Sequence, residues 1–69
     1  MYRLKLLRES HLLSQTEIAK AIFVSQRTYS YYENEEHDIP TLALIRLADY
    51  YNVSVDYILG RTDNPKLNK

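Results

Sequence analysis

Between positions 25 and 34 the sequence SQRTYSYYEN places five hydrogen-bonding side chains along one side of a helix. Gln26, Ser30 and Asn34 recur at every fourth residue, and Arg27 and Tyr31 form the stripe beside them. Thr28, Tyr29 and Tyr32 fall on the other side, a mostly aromatic face suited to a core. The polar face has the chemistry to read base edges. A guanidinium can donate two bonds to guanine, and a glutamine amide can match adenine with one donor and one acceptor.

Other chemistries find little to work with. No nucleophile–base spacing, Gly-rich phosphate loop or carboxylate pair suited to a cleft is visible, so an enzyme is not expected. Cysteine is absent, and His11 and His37 lie too far apart for a local metal clip, so neither a metal nor a cofactor is expected. Both histidines read as exposed polar residues. No small-molecule ligand is evident. No apolar run approaches about 18 residues, and MYRLKLLRES alternates charge with Leu instead of forming a signal-peptide core. A cytoplasmic protein with no membrane contact is expected.

The elements that must position the polar face follow from pattern. The chain has 69 residues, one Gly and two Pro, which leaves few turn signals for strands and room for one domain. A core of this size rarely supplies more than about 3–5 kcal/mol without help. Leu4 and Leu7 mark a short helix over residues 2–10. Ser14-Gln15-Thr16-Glu17 is a capping box that opens a second helix with Ile18, Ala19 and Ile22 on its inner face. Phe23-Val24 makes a tight connection, and Ser25 caps the third helix, which runs through Asn34. Residues 35–39 are acidic and non-periodic, hence a loop. Pro40 suits the start of a fourth helix bearing Leu44, Leu47, Ala48 and Tyr51 inward. Ser54 caps a fifth, Asp56 favours its N-terminal end and Gly60 stops it. The tail RTDNPKLNK reads as polar and frayed. The expectation is an all-α bundle of five short helices spanning residues 1–60, with a polar tail over residues 61–69.

Net charge is zero but unevenly spread. Arg3, Lys5, Arg8, Lys20 and Arg27 against Glu9 and Glu17 give residues 1–31 a charge of +3. Arg46 against Glu33, Glu35, Glu36, Asp38, Asp49 and Asp56 gives residues 32–60 a charge of −5. Such a dipole can orient a small protein on a polyanion.

The segments LSQTEIAKAIFVSQRTYSYYEN and DIPTLALIRLADYYNVSVDYILG resemble the lambda-repressor and Cro-like helix-turn-helix domains of the xenobiotic-response-element type. The resemblance covers roughly residues 4–60. It implies a regulator of transcription, a repressor by expectation, whose third helix enters the major groove of double-stranded DNA. It places Gln26, Arg27, Ser30 and Tyr31 against bases or the groove wall. Gln15 would hold a phosphate and brace Gln26, and Ser25 and Asn34 would take phosphates near the two ends of the third helix. Arg8 and Glu33 match a pair that ties the first helix to the third. Where the family favours Gly, this chain has Leu12, Phe23 and Glu35. Either these residues adopt left-handed backbone, at roughly 1–2 kcal/mol each, or the turns differ.

A lone recognition helix touches few base pairs, and a neutral chain attracts phosphate weakly. A homodimer on an inverted-repeat operator is therefore expected, joined through Val55, Tyr57, Ile58 and Leu59 of the fifth helix and the tail. The alternative is a protein-interaction module, such as an antitoxin or adaptor, on the same fold. Apolar anchors on the third helix would favour it, and the acidic loop leans mildly that way.

Overall fold

The structure, a computed structural model, describes residues 1–66; the last three positions of the expected tail lie outside the described residues. Among the described residues the fold is all-α, with five helices and no strand. These are α1 (Leu4–Ser10), α2 (Gln15–Ala21), α3 (Gln26–Glu33), α4 (Thr41–Tyr51) and α5 (Val55–Ile58). The third helix stops one residue earlier than its pattern suggests, with Asn34 as its C-cap, and α5 is a single turn.

Three of the helix starts are capped by serine hydroxyls. The Ser14 hydroxyl accepts from the Glu17 N–H while the Glu17 carboxylate accepts from the Ser14 N–H, which completes the capping box. The Ser25 and Ser54 hydroxyls cap α3 and α5 by accepting from the Thr28 and Tyr57 N–H groups. Pro40 precedes α4 without a side-chain cap.

At the C-termini one device recurs five times. The cap residue of α4, and the residue after the cap in the other four, takes left-handed backbone, and its N–H and the next return to carbonyls of the last turn. The left-handed residues are Leu12, Phe23, Glu35, Asn52 and Gly60. The first closure illustrates all five: Leu12 N–H bonds Glu9 O at 3.1 Å, and Leu13 N–H bonds Arg8 O at 3.0 Å. The three positions where Gly is usual in the family are thus left-handed with side chains in place. Gly60 is the one glycine so used, and a Cβ there would strike the Met1 carbonyl.

The core draws on every helix. Leu4, Ile18, Ile22, Tyr29, Leu47 and Ile58 are fully buried. Ala19 of α2, the helix that packs on α3, is 1% exposed. On α4 Leu47, Ala48 and Tyr51 are buried and Leu44 packs half-buried against the core, as expected, with Ala43 buried beside them. Ile39 and Val53 add to the core from connecting segments. Leu6 is 58% exposed, off the inner face of α1.

The tail is not frayed through Lys66. Arg3 donates to the Tyr57 and Thr62 carbonyls at 2.6 and 2.7 Å and pairs with Asp63 at 2.7 Å, with its guanidinium 4.4 Å above the Tyr57 ring. Ser54 N–H bonds Pro65 O at 3.0 Å. The acceptors are the Tyr57 carbonyl of α5 and groups of the tail itself, a pairing that composition alone does not reveal.

Candidate nucleic-acid interface

The polar face of α3 is held from below by a directed chain of hydrogen bonds. It begins at Arg8, which donates from Nε and Nη2 to the two oxygens of Glu33, both at 3.0 Å, and from Nη1 to the Leu13 carbonyl at 3.0 Å. The paired side chains are only 15% and 5% exposed. Glu33 Oε1 also accepts from Gln15 Nε2 at 3.4 Å, and Gln15 Oε1 accepts from Gln26 Nε2 at 2.6 Å.

The order of donors and acceptors has a consequence for Gln26. A carboxylate can only accept, so Gln15 must turn its NH2 inward and its carbonyl outward. Gln26 must then donate to it. Its Oε1 and second N–H remain for a partner outside, one acceptor beside one donor, which is the pattern that matches adenine.

Arg27 is exposed, and its Nε donates to the Tyr31 hydroxyl at 3.1 Å. The Tyr31 ring in turn packs against His37, with centroids 4.5 Å apart and planes tilted by 39°. Ser30 is half-buried beside them. Ser25 and Thr28 share one O–H···O bond of 2.9 Å, so one hydroxyl of the pair retains its proton for another acceptor. The Asn34 amide lies 3.5 Å from Ser30 Oγ and 3.4 Å from Glu36 Oε1, drawn toward the acidic loop.

Burial pushes the Glu33 carboxyl up, but the Arg8 hydrogen bonds, with the nearby Tyr29 hydroxyl and Gln15, outweigh it and hold the group below its ordinary range. The Arg8 guanidinium is shifted up, chiefly by its bonds to Glu33. Desolvation raises Tyr29 and Tyr51. Tyr29 lies close enough to influence Glu33, yet its hydroxyl lacks the geometry of a hydrogen bond, and the Tyr51 hydroxyl is likewise unpartnered. Among the described residues no group of His, Asp and Glu could hold a metal ion, and no helix is long and apolar enough to cross a membrane.

The four candidate interface residues separate. Ile58, the last residue of the one-turn α5, is fully buried and belongs to the core. Val55, Tyr57 and Leu59 are half-buried, and Arg3 covers the Tyr57 ring. His11, read as merely exposed, caps the Leu7 carbonyl through Nδ1 at 2.9 Å and packs on Tyr51 at 4.9 Å. Sequence reasoning also passed over Thr28, Arg3 and His37. A hydroxyl three residues after a Ser cap was a usable signal for Thr28. Nothing local marks His37, which reaches Tyr31 only through the left-handed turn at Glu35.

A family model described as helix-turn-helix matches residues 4–58. An uncharacterised HTH-type transcriptional regulator of Bacillus subtilis, YobD, is 44% identical over 63 residues, covering 91% of this chain and 56% of its own. The HTH-type transcriptional regulator ImmR of the same organism is 36% identical over 67 residues, covering 97% of this chain and 53% of its own. A transcriptional regulator from Listeria innocua, solved by crystallography, superposes with a TM-score of 0.81 at 35% identity over 87% of this chain and 56% of that one. The chain spans about half the length of the curated relatives it matches. A match to nearly all of α1 through α5, on a fold shared with a solved regulator, shows that this protein belongs to the helix-turn-helix family of transcriptional regulators.

Proposed function

We propose that the chain binds double-stranded DNA in a sequence-specific way, as a homodimer on an inverted-repeat operator, and represses transcription in the cytoplasm by occupying its site. The observation that carries this reading is the Gln15–Gln26 bond, which presents a donor–acceptor pair at the start of an exposed helix. Gln26 and Arg27 read base edges from the first turn of α3, and Ser30 and Tyr31 line the groove wall. Gln15, the Ser25–Thr28 pair and Asn34 meet phosphates on either side. Asn34 must release Glu36 to do so, and the exposed Glu35, Glu36 and Asp38 oppose phosphate at that end. Non-specific affinity is accordingly weak, and specificity rests on base contacts and on pairing of half-sites. The bundle of residues 1–60 carries these contacts.

The alternative, a protein-interaction module, calls for apolar anchors on α3. Among the described residues the large apolar side chains that are exposed, Met1, Leu6, Leu12, Phe23, Leu42, Ile45 and Tyr50, lie outside α3. Selection of bound duplexes from a random pool tests the proposal. Enrichment of one inverted repeat supports it, and a pool that stays random after repeated rounds rules it out.

A further inference from the structure

The loop after α3 is closed back on the helix by the same left-handed device, with a second N–H at the same carbonyl. Glu36 N–H and His37 N–H both point at the Tyr31 carbonyl, at 2.9 and 3.4 Å, across the left-handed Glu35. That closure sets the His37 ring against the Tyr31 ring, and the Tyr31 hydroxyl against Arg27 Nε. Three side chains from two segments thus form a line that ends at Arg27, the one cation of α3 and exposed.

We infer that His37 is a positioning residue for base reading by Arg27, an assignment that rests on the groove reading above. A guanidinium has five N–H donors. With Nε–H bonded to Tyr31, the two terminal nitrogens form the forward edge, and their fork matches guanine O6 and N7. Without His37 the Tyr31 ring has open rotamers, and the Arg27 fork loses its aim. His37 touches no base. It acts through Tyr31 and selects guanine by limiting where Arg27 can point. His37 is exposed, so its replacement leaves the fold intact.

Two measurements on the purified chain test this. In the DNA-free protein, nitrogen-edited NMR should show a slowly exchanging Arg27 Nε–H that is lost in Tyr31→Phe and His37→Ala but kept in His37→Phe, which preserves the ring contact. In binding assays the probe is the duplex enriched from the random pool, with 7-deazaguanine placed at each guanine in turn to remove N7. One guanine per half-site should show a loss of affinity that Arg27→Ala abolishes. His37→Ala should shrink that loss by about two- to ten-fold, the range of an aromatic pair, and His37→Phe should restore it. A retained Nε–H signal in His37→Ala overturns the relay whatever the DNA shows. Loss of the signal with unchanged discrimination overturns its role in reading. An Arg27→Ala protein that discriminates as before overturns the groove assignment itself.

Discussion

The Arg8 guanidinium and the Glu33 carboxylate meet along two parallel hydrogen bonds of 3.0 Å, joining α1 to the last turn of α3. Because both side chains are nearly enclosed, this is not the surface pair that contributes about 0–1 kcal/mol. Hydrogen bonds to charged groups contribute about 1.5–3 kcal/mol, so a double-mutant cycle with Arg8→Ala and Glu33→Ala, followed by urea unfolding, should give a coupling in that range. Additive effects would return the pair to the surface class.

The same contact sets an acid limit. Glu33 is held below its ordinary value of 4.5 in the folded chain. A depressed folded pKa gives stability that is fully present above the unfolded value and is lost as pH falls through the folded one. Thermal stability should therefore hold down to about pH 5 and decline below about 4.5, and Glu33→Gln should flatten that decline. An equally steep acid loss in the Gln variant would assign it to other carboxyls.

Leu12 offers a gain. Its side chain is 91% exposed, and its φ is 57°, a left-handed conformation that glycine adopts without a Cβ clash. Leu12→Gly relieves roughly 1–2 kcal/mol against a smaller entropic cost, and Tm should rise by about 4–8 °C per kcal/mol gained. Phe23→Gly should give less, because Phe23 lies under the Arg46 guanidinium at 4.7 Å. Asn52→Gly should change little, since Asn tolerates this region. A fall in Tm for Leu12→Gly would show that the side chain has a contact in solution.

For DNA, Arg27→Ala should cost about 1–3 kcal/mol and relax preference at one position per half-site. Gln15→Ala should act differently. It weakens binding to every duplex through the lost phosphate contact and broadens the adenine preference by freeing Gln26 to flip. Selection from a random pool with each variant separates the two patterns, and identical motifs from all three proteins would move base reading away from α3.

Leu59→Lys addresses assembly. Leu59 is half-buried just past α5, so the fold should survive. Binding to a single half-site should persist while cooperative binding to the full repeat collapses. Unchanged cooperativity would place the dimer contact elsewhere.

The fold was legible where local chemistry is decisive. Ser14, Ser25 and Ser54 announced three helix starts, and alternation of Tyr29 and Tyr32 with Gln26 and Ser30 announced which side of α3 faces inward. The Leu12, Phe23 and Glu35 turns were legible only as a choice between strain and altered geometry, because a side chain does not reveal its own φ. Ile58 was grouped with its neighbours since one turn carries too little periodicity to sort them. His37 escaped because its contact with Tyr31 follows from the left-handed φ of Glu35, and Arg3 because its partners, 54 to 60 residues away, meet it only in the assembled bundle.

The Arg3 clasp makes the first and last described segments neighbours, with Arg3 N–H on Ile58 O and its side chain on Thr62 and Asp63. In folding terms it joins residues separated by most of the chain, whereas the capping serines and left-handed closures join residues within one turn. Local closures need little chain entropy, and a loop of this length needs about 2 kcal/mol more by the logarithmic scaling of loop closure. The clasp is thus the latch of the bundle. It should set last in folding and open first in amide hydrogen exchange.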